Sequence, residues 1–235
     1  MNRLNWLFTL SSLSVVLVTI ERFSATTRVI LQPHSFLSLH QLVQTGVIIL
    51  FTTVISALLF WELSGQFSGL RRAAARWLFV IFAAGIYLVG AGEGLHELAS
   101  YYLNAHCDPE HAIGSLCGGL FINDFFTGNV LFFIGAFAST AALLIVERLN
   151  PNPAFAKGQL VPLGINAVVY AATVVAYAGF DTVLVGLVYT LAMLAFTLVV
   201  FLPVRKSFPR YPFATYTVAV YTLGAIVSLA VRLLR

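Results

Sequence analysis

Charge is what this chain lacks most. Aspartate, glutamate, lysine and arginine make up 9% of its 235 residues, against about a quarter in a soluble domain, while 60% are apolar and the mean hydropathy is +0.92. That balance excludes a soluble fold. The 13 basic residues leave a net charge of +4 but form neither a basic run nor an aromatic-basic patch, so no nucleic-acid partner is expected. Polar linkers, low-complexity tails and internal repeats are also missing, as is the alternation of a membrane strand. In lipid the backbone must satisfy its own hydrogen bonds, so such a chain is predicted to be an all-α, polytopic transmembrane helical bundle. Residues 1–235 then form a single integral membrane domain whose first partner is the lipid bilayer.

Seven apolar stretches run at about 4–20, 39–61, 77–103, 120–146, 160–178, 182–203 and 211–234, each near the roughly 20 residues that a spanning helix needs. The first resembles a signal peptide in following Arg3. It lacks a convincing small-x-small cleavage site, however, and Glu21-Arg22 follows it directly, so it reads as a retained helix. With the N-terminus inside, nine basic residues fall on the inner side: Arg3, Arg71, Arg72, Arg76, Arg148, Lys157, Arg205, Lys206 and Arg210. Four fall outside: Arg22, Arg28, Arg232 and Arg235. The positive-inside rule thus predicts a cytoplasmic N-terminus and a non-cytoplasmic C-terminus. In that orientation all five histidines, His34, His40, His96, His106 and His111, lie on the outer side, and of the nine acids only Glu62 and Glu147 lie inside.

Cysteine is nearly absent as well. Cys107 and Cys117 both fall in the outer loop between helices three and four, a loop without lysine or arginine. They are disulfide candidates, and closing so short a loop contributes about 2–3 kcal/mol in the chain-entropy model. The alternatives are two free thiols and a loop metal site from His106, Cys107, His111 and Cys117, whose spacing matches no common zinc pattern.

Against this background one segment stands apart. Gly90-Ala-Gly-Glu-Gly-Leu-His-Glu-Leu-Ala-Ser100 places Glu93, His96, Glu97 and Ser100 at spacings of three, four and seven, hence on one face at the outer end of helix three. Toward the cytoplasm that face becomes Phe82, Ile86 and Val89, so it is predicted to wall a pocket rather than line a channel. Ionisable groups at membrane depth are functional candidates by default. Gly90-x-x-x-Gly94 beside them is a small-residue pattern that lets another helix approach closely. Helix four returns from the same boundary through Asn123 and Asp124, at the depth of His96 and Glu97, and the short loop makes the two helices antiparallel neighbours. His40 at the start of helix two and Asp181 at the start of helix six are candidates for the same layer, with Gln41 and Gln44 beside them.

Glu93-x-x-His96 offers a carboxylate and an imidazole to one metal, but the second copy that a di-iron bundle needs is missing. The metal expectation is a mononuclear divalent site, zinc or iron, with Glu93, His96, Asp124 and His40 as ligands and Glu97 as base toward a metal-bound water. Asn123, Ser100 and Asp181 are expected to support it. The function expected is a membrane-embedded, metal-dependent hydrolase or oxidoreductase acting on a lipid or other hydrophobic substrate, with Glu93, His96, Glu97 and Asp124 catalytic. Two alternatives stand beside it. One is a proton- or ion-coupled transporter or channel using the same groups as a relay. The other is a structural or accessory subunit in which they only hold helices three and four in register.

Further absences narrow the classes. Residues 211–234 contain no lysine, which a microbial-rhodopsin-like protein needs there, and no histidine, where alkaline-ceramidase-like hydrolases supply a pair. His-Glu-x-x-His, Gly-x-Ser-Gly and a Gly-Lys-Ser/Thr ending are all lacking, against zinc-protease, rhomboid-like and phosphate-loop chemistry. Tyr211, Tyr216 and Tyr221 recur every five residues and so spread around helix seven, with Tyr211 predicted as an interface anchor and the other two as packing or cavity-lining groups. Pro203, Pro209 and Pro212 punctuate the turn before that helix.

Overall fold

A computed structural model describes residues 2–68, 73–108 and 114–235. Arg71 and Arg72 of the charge count, and Glu110 and His111 of the cysteine loop, lie outside the described residues. Among those described, seven helices are long and apolar enough to cross a membrane: α1 (Arg3–Arg22), α2 (Leu39–Leu63), α3 (Ala73–His106), α4 (Leu116–Leu149), α5 (Lys157–Phe180), α6 (Val185–Arg210) and α7 (Pro212–Leu234). Their number matches the seven apolar stretches.

The boundaries differ for physical reasons. α3 and α4 have 34 residues each. At 1.5 Å per residue each is about 50 Å long, well beyond a hydrocarbon core of about 30 Å. Hydropathy marks only the lipid-crossing part, so 77–103 and 120–146 fall short of the helices themselves. α6 starts at Val185 rather than 182 because Asp181 is extended (φ −62°, ψ 147°) and its carboxylate accepts the Val183 N–H at 3.4 Å. It ends in a 3-10 run, Leu202–Arg210, that holds Pro203 and Pro209. Pro212 then opens α7, where a missing N–H costs nothing.

Neighbouring helices close a ring in the order α1, α2, α3, α4, α6, α7, α5 and back to α1, and α4 also touches α2 and α7. Aromatic packing fills it. Phe8 stacks on Tyr216 with ring centroids 4.8 Å apart, Phe133 on Tyr189 at 4.6 Å, and Phe60 packs on Phe82 at 4.7 Å. Large apolar side chains such as Trp77, Val161, Val188 and Val199 cover the outside, a surface suited to lipid rather than water.

α3 and α4 make the most extensive helix pair, and glycine decides how close they come. A Cβ on Gly92 would lie 2.4 Å from Phe132 N and 2.6 Å from Gly128 O, and one on Gly135 would lie 2.5 Å from Gly85 O. Gly85 and Gly92 on α3, and Gly128 and Gly135 on α4, are each seven residues apart, so they form one seam along which the backbones touch. The expected Gly90 and Gly94 do not. Gly90 meets only Ile49, at 3.7 Å, and Gly94 nothing within 4 Å, because they lie off the face that Gly85 shares with Gly92.

Two tertiary caps tie the ring together. Glu147, fully buried near the end of α4, accepts the Phe213 N–H at Oε1 and the Ala214 N–H at Oε2, both at 2.8 Å, in the first turn of α7. Asn152 adds a third bond at 3.3 Å. At the other end of α7, Arg232 donates to the carbonyls of Ala178, Asp181 and Val183 at 2.6, 2.9 and 3.1 Å, closing the end of α5.

Candidate functional site

Cys107 and Cys117 form a disulfide that joins the end of α3 to the start of α4, with Cα atoms 5.8 Å apart. Both sulfurs are committed, which removes the loop metal alternative. His106 instead stacks on the Tyr102 ring at 5.7 Å.

At this disulfide end three helices bring acids and a histidine together. α1 ends on Glu21-Arg22, α2 begins beside His40, and α3 supplies Glu97. His40 sits between the two acids: Nδ1 contacts Glu21 Oε2, and Nε2 lies 3.5 Å from Glu97 Oε2. Relative exposures of 7% for His40, 8% for Glu21 and 3% for Glu97 keep the group nearly dry. Thr26 and Ser24, around the 3-10 turn Ala25–Arg28, donate to Glu21 Oε1. The exposed Arg22 guanidinium approaches Glu97 Oε1 at 4.0 Å. Gln41 accepts the Ser38 N–H at 3.3 Å and so caps α2.

A second pair faces α4. His96 Nδ1 lies 2.7 Å from Asp124 Oδ1 and 3.0 Å from the Asp124 carbonyl oxygen. Asp124 is buried and belongs to a π turn, Asn123–Gly128, while α2 holds another, Val43–Ile48, just after His40. Such turns insert a residue, re-aim the side chains around them and recur at functional positions. Gly128 in the same turn lets the His96 backbone close in, since a Cβ there would lie 2.9 Å from His96 N and Cβ. His96 Nε2 has no hydrogen-bond partner among the described residues. Glu93, half-buried and without a hydrogen bond among the described residues, stands in electrostatic range of Glu97, His96, Arg22 and His40.

The expected stripe therefore fans out. Glu97 addresses α1 and α2, His96 addresses α4, and Ser100 accepts from Asn104 at 3.3 Å on its own helix. Asn123 makes no side-chain hydrogen bond among the described residues. Asp181 is engaged elsewhere, its carboxylate with Thr182 and Val183 and its carbonyl with Arg232. Of the expected ligands, His40 belongs to one group, His96 and Asp124 to the other and Glu93 to neither, and among the described residues no set of three or more His, Cys, Asp or Glu is arranged to hold a metal ion. Glu21 and Arg22 are the members that sequence reasoning misses. Their signal is a charged pair directly after the first apolar run, which a boundary reading uses only as a stop.

No family model, no curated protein and no solved structure matches the chain.

Proposed function

We propose that this chain is a multi-pass integral membrane protein that moves protons, or a small cation in exchange for them, through the Glu21–His40–Glu97 group and the His96–Asp124 pair, with Glu93 between them. The observation that carries the reading is His40 held between two buried carboxylates from different helices. A proton gained or lost there changes which oxygen the imidazole can bond, and so alters the link among α1, α2 and α3. Coupling protonation to helix contact is what a proton-driven transporter requires. The positive-inside count supports a cytoplasmic N-terminus, with this site opening on the non-cytoplasmic side.

The test is proton flux into vesicles reconstituted with purified protein, followed by a lumenal pH dye under an imposed pH gradient. Flux above protein-free vesicles, falling at least tenfold in folded His40→Gln, is expected. Equal flux in the two proteins sinks the reading.

The His96–Asp124 pair favours a second reading. The Asp124 carbonyl oxygen bonded to Nδ1, with the carboxylate 2.7 Å away, orients the ring and leaves Nε2 as general acid or base, as in hydrolytic dyads and triads. Enzyme chemistry on a lipid or other hydrophobic substrate follows without a metal. A zinc or iron version requires in addition that the ion draw Glu93, His96, Asp124 and His40 together. Lipid products that vanish in His96→Ala support the enzyme. Stoichiometric metal by elemental analysis, lost in the same folded variant, supports its metal form.

A further inference from the structure

We infer that the middle of the helix ring holds a short file of ordered water that links the acid–histidine site to the opposite end of the bundle, an inference that rests on the proton-moving reading above. A cavity of about 90 Å³ lies between α1, α2, α4, α5 and α7, lined by Ser11, Ser14, Thr52, Ser56, Tyr170 and Tyr216 among others, and among the described residues by no acid, histidine, lysine or arginine. At a liquid volume of about 30 Å³ each, that is room for about three water molecules. A lipid or cofactor needs a pocket of roughly 300 Å³ or more, so the space is too small for either.

The lining calls for such occupants. Ser11, Ser14 and Thr52 donate to backbone oxygens of their own helices, those of Leu7, Ser11 and Ile48, at 2.9, 2.7 and 2.9 Å. Their lone pairs remain as acceptors. The buried Tyr216 hydroxyl has Ser12 in reach but no hydrogen bond that satisfies both distance and angle. Acceptors without donors beside a donor without an acceptor are what water bridges, and polar groups left dry inside a membrane are costly.

Further buried polar groups lie along α1 on either side of the residues that line the cavity. Toward the site, the buried Gln44 donates to Val18 O at 3.5 Å, one turn short of Glu21. Away from it, Ser12 donates to Asn166 O at 3.1 Å, Asn166 donates to Thr9 at 3.0 Å, and Asn5 donates to Gln159 O at 3.1 Å. The Arg3–Glu62 ion pair, at 3.2 Å, stands at the far end. Asn5 and Ser12, seven residues apart, share the face of α1 that meets α5, while Ser14 and Glu21, also seven apart, share the nearly opposite face, on which Ser14 lines the cavity. In transfer, each water or hydroxyl oxygen takes up a proton on one side as it releases one on the other, while the amide groups hold the file in place. One proton has moved and the O–H bonds of the file point the other way, so its waters and hydroxyls turn back before the next proton follows.

The test fills the cavity and leaves the acid–histidine groups intact. Ser14→Leu and Ser56→Leu act from α1 and α2, so one can stand in for the other if folding fails, and Ser14→Thr keeps a hydroxyl. The readouts are proton flux in reconstituted vesicles and the infrared O–H band of internal water, identified by its shift in heavy-oxygen water. Internal water in wild type, lost together with at least tenfold of the flux in a folded Leu variant and retained in Ser14→Thr, is the expected result. A dry wild-type cavity, or full flux in a folded Leu variant, overturns the inference while leaving the proton-moving reading standing. Wild-type vesicles that carry no protons overturn that reading and the relay with it, even if water is seen.

Discussion

Glu147 and Glu97 are both buried acids near helix ends, at 0% and 3% exposure, yet their partners are of different kinds. Glu147 accepts two backbone N–H groups, which never titrate, and its role is to close the first turn of α7. Glu97 faces His40, which can gain and lose a proton, and His40 also faces Glu21. Burial of an acid in a membrane therefore does not mark function by itself. The chemistry of what it faces does.

The largest expected effect is on the capping side. Glu147→Ala orphans two buried N–H groups, at about 1–3 kcal/mol each. A drop of several kcal/mol in unfolding free energy in detergent is expected, with proton flux per folded molecule unchanged. A near-neutral effect on stability would remove the contrast. Next comes the disulfide. Cys107→Ser with Cys117→Ser should lose about 2–3 kcal/mol in denaturant unfolding and keep the flux, because the histidine contacts do not pass through sulfur. Gly128→Ala should cost about 1–3 kcal/mol by overpacking and also lower the flux, since the new methyl meets the His96 backbone. Gly94→Ala should stay within about 0.5 kcal/mol, so equal melting of the two variants would contradict the glycine seam. Glu97→Gln keeps the shape of the side chain and should cost below about 1 kcal/mol, because its contact with His40 is already 3.5 Å long.

These differences also mark what the sequence makes legible. Seven spans are visible because lipid solvation dominates the composition, and Glu93, His96, Glu97, Asp124 and His40 stand out because ionisable residues are so few. Their pairing is not visible. It depends on the π turns Val43–Ile48 and Asn123–Gly128, which rotate the side chains around them and carry no clear sequence signature. The Gly85–Gly92 seam is hidden by the more conspicuous Gly90-x-x-x-Gly94 pattern, which meets no helix backbone. Glu147 is silent for another reason. Its partners are backbone groups 66 and 67 residues away, and an N–H leaves no mark in a sequence.

Proton flux per folded molecule, measured in vesicles for wild type, Glu97→Gln and Glu147→Gln, tests the contrast most directly. Glu97→Gln should lose at least tenfold of the flux while melting within a few degrees of wild type. Glu147→Gln should melt far lower and keep its flux in the fraction that folds. Full flux in folded Glu97→Gln, or flux lost in folded Glu147→Gln alone, would contradict the assignment of proton handling to the histidine-paired acids.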